Sequence, residues 1–146
     1  MIKYFVEISK DDTNAGKSLW SPVNKGVWHW KILKDLRKWD TVYHISTKER
    51  PPRLIGKSVV KSSAKENKTI LGGYSNYKKG WEVELFNHKK EKNPIVFDKA
   101  FENKLRRINF SKTKSPFNIH YSLNQIYCCE IGKELRDFFE DEMSIS

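Results

Sequence analysis

Residues 36–46 read LRKWDTVYHIS, and the second half of this stretch decides the fold class. From Thr41 to Ser46 the chain is rich in β-branched and aromatic residues and alternates. Val42, His44 and Ser46 fall on one face of a strand, and Tyr43 and Ile45 on the other. Downstream, residues 48–52 form a turn that the Pro51-Pro52 pair terminates. Arg53 to Lys61 is a second strand, with Gly56 marking a bulge or a close backbone approach. Upstream, Ile2 to Ser9 is another strand, with Ile2, Tyr4, Val6 and Ile8 set against Lys3, Phe5, Glu7 and Ser9. Residues 11–26 are rich in Asp, Asn, Gly, Ser and Pro and read as a long loop, and loops of that length are usually functional. Residues 28–36 fit either a short helix or a further loop.

Further along, residues 62–68 read as a polar connection and residues 72–79 as a Gly/Asn/Tyr loop. WEVELFN (81–87) is the clearest alternating strand, with Trp81, Val83 and Leu85 opposite Glu82 and Glu84. Pro94 to Phe97 reads as a short separate edge segment. A helix capped by Asp98 then carries Phe101 and Leu105 one turn apart as far as Arg107. Residues 126–131 close the strands, and residues 133–142 form an amphipathic helix with Leu135, Phe138 and Phe139 inward. About six strands with short peripheral helices imply an α+β chain, a small mixed β-barrel in one domain spanning 1–146.

The 146 residues carry a formal net charge of +10, with 38% hydrophobic and 32% charged residues. Residues 130–146 are net acidic and end in Ser, as at a domain boundary, so the residues before them hold more than the whole positive excess. A basic body of this kind points to phosphate partners. No apolar run is long enough for a membrane span, and no secretory signal opens the chain. Cys128 and Cys129 are adjacent, a spacing that rarely forms a strain-free bridge, so a reducing, cytoplasmic setting is expected.

Motifs of catalysis are missing from the sequence. His29, His44, His88 and His120 lack metal spacing, and there is no Cys-x-x-Cys, phosphate-cradling Gly loop or Gly-x-Ser-x-Gly elbow. Asp12 and Asp40 stand where turn and cap residues normally do, and no carboxylate-Lys cluster suggests a nuclease. The expectation is a non-enzyme without cofactor or metal.

Aromatic and basic residues remain. Three of the five tryptophans lie in SLWSPVNKGVWHW (18–30), a segment of loop-forming residues. Trp20, Trp28, Trp30, Tyr74 and Tyr77 are candidate walls of a base pocket, with Ser9, Asp12, Ser21 and Asn24 within reach to read a base edge. Trp28 and Trp30 would face one side if extended. Trp39 is assigned to packing, and Trp81 fits packing as well as a pocket. Lys17, Lys25, Lys57, Lys61, Lys78, Lys79, Arg106 and Arg107 are candidate phosphate contacts.

Several segments together resemble the EVE and YTH branch of the PUA superfamily. KYFVEIS (3–9) resembles the first EVE strand. LRKWDTVYHIS resembles a following strand in which Gly-Asp is usual where this chain has Trp39-Asp40. RLIGKSVV (53–60) resembles the next strand, and SPFNIHYSLNQIYCCEI (115–131) resembles a closing segment with Asn-Gln and an aromatic before the last strand. LWSPVN (19–24) is similar to the YTH segment that carries a cage tryptophan. The resemblance implies a pseudo-barrel whose pocket takes one modified base, methylated cytosine or adenine, extruded from DNA or read in single-stranded RNA. The expectation drawn from it is a reader of a methylated or hydroxymethylated base flipped out of DNA, as the specificity part of a restriction system. The alternatives are a PUA-like module that binds RNA and a small metal-dependent nuclease. Nucleic acid is the implied partner, with other domains or subunits of a restriction effector beside it.

Overall fold

The computed structural model describes residues 1–10, 16–22, 26–67 and 80–145. Seven strands form one curled, mixed sheet: β1 (Tyr4–Ser9), β2 (Ser18–Pro22), β3 (Thr41–Ser46), β4 (Arg53–Val60), β5 (Lys65–Asn67), β6 (Gly80–Val96) and β7 (Cys128–Ile131). Their order is β2-β6-β4-β3-β1-β7, with β5 also on β6. Only β1 and β3 run parallel, which requires the long crossover through residues 10–40. Within the stretch read as a long loop over 11–26, residues 18–22 are strand β2, made so by pairing with β6. Of the two readings for 28–36 the short helix is observed, as helix α1 (Trp28–Lys31) and a 3-10 turn at Ile32–Asp35.

β6 shapes the sheet. It runs unbroken for 17 residues through the supposed separate segment at Pro94. Its register against β4 slips twice. Asn87 and His88 together face the single residue Ser58, and Asn87 takes a φ of 51°, a left-handed conformation that Asn tolerates. Four residues including Pro94 then face Ile55, so the proline removes no ladder bond. Extra residues on one strand raise its local twist, and the sheet curls into a half-barrel.

Alternation sends the two faces into separate cores. Val6, Ile8, Tyr43, Ile45 and Leu54 pack under α2 (Lys99–Leu105) and α3 (Lys133–Ile145) through Phe101, Leu105, Leu135, Phe138 and Phe139. Phe5, Val42, Val60, Leu19, Val83 and Leu85 fill the opposite face with Leu33 and Leu36. Asp98 caps α2 by accepting from the Phe101 amide at 3.0 Å. On α3, Glu140 accepts from Lys57 Nζ at 2.8 Å and Glu142 lies 3.3 Å from Lys104, so the acidic C-terminal segment folds back on the basic body. Cys128 and Cys129 are free and buried, and burial pushes the Cys129 thiol up to about 12.

Trp39 is not a core residue. It is 53% exposed, meets Phe86 in a T-shaped contact at 5.7 Å between ring centroids, and has Lys38 Nζ 5.2 Å from its own ring. Its φ of 79° is a conformation glycine adopts freely, so the backbone keeps the turn that Gly-Asp would make. Asp40 fixes that turn from a buried position, accepting from the Lys3 and Arg37 amides at 2.9 and 2.8 Å.

Candidate nucleic-acid interface

The half-barrel leaves a seam between β2 at one edge and β7 at the other, and Tyr127 spans it. Its carbonyl accepts from the Ile8 amide at 2.7 Å, extending the ladder of β1 and β7. Its amide donates to His29 Nδ1 at 3.1 Å, tying in α1. Its hydroxyl accepts from the Trp20 amide of β2 at 3.0 Å, and its ring stacks on Trp30 with centroids 4.5 Å apart. One residue thus joins both sheet edges and the helix between them, through its backbone and its side chain together.

A cleft of about 1170 Å³ opens at this seam. Trp20, Trp30, His29 and Tyr127 line it, together with Ser9, Lys10, Ser18, Arg50, Asn124 and Gln125. Trp20 is held against bare backbone: a Cβ at Gly80 would fall inside its indole, so the site requires glycine there. Glu7 lies at the cleft floor, buried, with His44 Nδ1 2.7 Å from its carboxylate. Burial lowers the pKa of His29, and its neutral Nδ1 accepts the Tyr127 amide.

Of the candidate pocket residues, the structure brings Ser9, Trp20 and Trp30 to the cleft. Trp28 is not among its lining residues. In a helix, residues two apart point away from each other, and Trp28 packs toward the helix-covered core with Lys114 Nζ 5.7 Å from its ring centroid. Ser21 is fully buried behind Trp20, its hydroxyl unpartnered among the described residues. Asp12, Asn24, Tyr74 and Tyr77 lie outside the described residues, as do Lys25, Lys78 and Lys79.

The described candidate phosphate contacts are scattered. Lys17 is exposed beside Ser18 at the cleft. Lys57 is committed to Glu140 on the opposite face. Lys61 lies 3.8 Å from Glu84, and Arg106 sits over the Tyr121 ring and 3.7 Å from Glu102. Arg107 is exposed away from the cleft lining. The cations that do line the cleft are Lys10 and Arg50, which sequence reasoning passed over. It also passed over Glu7, His29 and Tyr127. The Asn-Gln-x-Tyr run before the last strand was the available signal for the last of these.

Among the described residues no group of three His, Cys, Asp or Glu could hold a metal ion. Ser58, His44 and Glu7 are connected in the order of a hydrolytic triad, but the Ser58 oxygen is fully buried between His44 and His88. No substrate carbonyl reaches it there. No helix among the described residues is long and apolar enough to cross a membrane.

No protein-family model matches the sequence, and no curated protein does. Solved structures are similar to it over almost its whole length. The N-terminal domain of Staphylothermus marinus McrB aligns at TM-score 0.62 and 15% identity, over 97% of this chain and 94% of that one. Human THYN1, solved in complex with DNA containing 5-methylcytosine, aligns at 0.61 and 10%, over 97% of both chains. The MmI1 YTH domain aligns at 0.53 and 18%, over 98% and 97%. The chain therefore shares its fold with the THYN1 DUF55 domain, the McrB N-terminal domain and the MmI1 YTH domain. The small mixed β-barrel read from the sequence is observed as a curled half-barrel, with β2 and β5 added and the segments read separately at 81–87 and 94–97 joined in β6.

Proposed function

We propose that this EVE-like chain, acting as one domain over 1–146, binds nucleic acid and reads a modified base. The base enters the seam cleft after flipping out of DNA, and the chain serves as the specificity part of a restriction or defence system. The observation that carries this reading is the cleft itself. Trp20 and the stacked Trp30–Tyr127 pair line a concave site large enough for a nucleobase, with Lys10 and Arg50 at its walls for phosphate. Aromatic planes hold a base by stacking, and the polar groups around them read its edge. The positive excess supports the same partner. So does the likeness in fold to THYN1, which was solved with 5-methylcytosine DNA.

Fluorescence anisotropy with matched duplexes, unmodified or carrying one 5-methylcytosine or 5-hydroxymethylcytosine, tests the proposal across a salt series. Tighter binding of a modified duplex, weakening steeply with salt, is the expected result. Equal affinity for modified and unmodified duplexes at moderate salt defeats it. Single-stranded RNA outcompeting every duplex would move the reading to an RNA-binding module.

A further inference from the structure

The cleft ends on a carboxylate that the fold takes trouble to hold. Glu7 sits mid-strand in β1 between β3 and β7, so backbone covers it on both sides. One tenth of its side chain stays accessible, where Glu7 lines the cleft floor. Two series of hydrogen bonds converge on it. In the first, His88 Nδ1 lies 3.0 Å from Ser58 Oγ, which lies 2.7 Å from His44 Nε2, and His44 Nδ1 lies 2.7 Å from Glu7 Oε1. In the second, the Trp20 amide donates to the Tyr127 hydroxyl, which donates to Glu7 Oε2 at 3.4 Å.

Hydrogens can be placed so that every contact is met: His44 Nδ1 and the Tyr127 hydroxyl donate to Glu7, which accepts from both directions, and the Ser58 hydroxyl bridges His44 and His88. The bulge at Asn87 turns His88 toward Ser58. His44 and Ser58 are 1% and 0% exposed, so they position the carboxylate and touch no ligand. Of His88, Ser58, His44 and Glu7, only Glu7 meets the cleft.

A carboxylate offers about four acceptor directions, and the described partners use two. Carboxylate oxygens only accept, so whatever faces Glu7 must bring a donor, and the donors on a base edge are N–H groups. Resting on the base-reading proposal above, we propose that Glu7 selects the entering base by its exocyclic amino group. Cytosine, adenine, guanine and their derivatives that keep an amine N–H are accepted. Thymine and uracil have no amine; their one edge donor, N3–H, is flanked by the O2 and O4 carbonyls, which the carboxylate repels, and they are rejected. A buried site built for a hydrogen bond discriminates strongly against a ligand that leaves it unmade.

The test uses DNA strands identical except for one central position: 5-methylcytosine, N6-methyladenine, thymine, N4,N4-dimethylcytosine or an abasic site. The wild-type chain should bind the first two at least about tenfold more tightly than thymine or the dimethylated base. In Glu7→Gln, whose amide donates as well as accepts, the preference for 5-methylcytosine over thymine should collapse. The dimethylcytosine comparison needs no variant, so it stands even if Glu7→Gln fails to fold. If the wild type binds dimethylcytosine as well as 5-methylcytosine, and both better than the abasic strand, the base is read but not through its amine, and this inference alone falls. Equal binding of all five strands would defeat the base-reading proposal itself.

Discussion

The two faces of the sheet are made by the same strands and end in different materials. Under α2 and α3 the face is mainly apolar, closed by Phe101, Phe117, Phe138 and Phe139 in a continuous aromatic cluster, with Tyr43 and Lys57 bonded to Glu140 at its margin. The other face changes along its length. On β1 it passes from Phe5 to Glu7 and Ser9, on β3 from Val42 to His44 and Ser46, and on β4 from Val60 to Ser58. Phe5 pairs with Val42 and Glu7 with His44, so the change comes at one level across neighbouring strands. Packing ends where the polar series begins, and the cleft opens there. Buried polar groups demand full pairing and return little net stability, so the expectation is that the helix-covered face stabilises and the cleft face recognises.

Truncation in the covered core should have the largest effect. Phe139 is fully buried against Tyr43, Phe117 and Phe138, and Phe139→Ala should cost about 3–5 kcal/mol in chemical denaturation. Whatever fraction remains folded should bind nucleic acid with unchanged affinity. Trp30→Ala should do the reverse. Trp30 is only partly buried and its main partner is Tyr127, so about 1–3 kcal/mol of nucleic-acid affinity should disappear with a much smaller change in unfolding. If Trp30→Ala unfolds the chain as Phe139→Ala does and spares binding, the division between the faces is broken.

Acid should separate the faces by pH. Burial lowers the pKa of His29 at the cleft, and burial together with neighbouring His44 lowers that of His88. The folded chain then binds fewer protons than the unfolded chain below the ordinary histidine value of 6.5, so stability falls as pH drops through it. On the other face, burial pushes Glu140 upward, but hydrogen bonds from Lys57 and Tyr43 outweigh it and leave the carboxyl below its ordinary 4.5. Its contribution is complete above 4.5 and is lost as pH falls through the lower folded value. Thermal melts from pH 8 to 3 should show two declines, and His29→Asn should shrink only the first. A single decline below pH 4.5 would contradict this order.

Much of the fold was legible because β1, β3, β4 and the start of β6 alternate on their own, and Asp98 and the α3 residues carry ordinary helix signals. β2 was hidden because Leu19 and Trp20 become strand only by pairing with β6, a contact about sixty residues away in sequence. β6 looked broken at Pro94 because a proline there is harmless only inside a bulge, which no local pattern announces. Within the cleft, Trp20 and Trp30 stood out by composition. Glu7 did not, since a charge in an alternating strand reads as solvent-facing. The clue was Phe5 two residues earlier on the same face, which showed that this face also had something to cover.

The smallest effect should come from the tryptophan that belongs to neither face. Trp39 holds a φ of 79°, a region costing non-glycine residues about 1–2 kcal/mol. Glycine removes that cost. It gives up the edge contact with Phe86 and the Lys38 ammonium 5.2 Å from the ring, both at a half-exposed site, and frees the unfolded chain by about 0.5–1 kcal/mol. The backbone bonds that define the turn survive, because the position-39 amide still donates to the Val60 carbonyl and Asp40 still caps Lys3 and Arg37. The terms nearly cancel, so Trp39→Gly should shift unfolding by less than about 1 kcal/mol in either direction, a few degrees of melting temperature. A loss comparable to that of Phe139→Ala would make the Trp39 ring structural and add a third region to a comparison that now needs two.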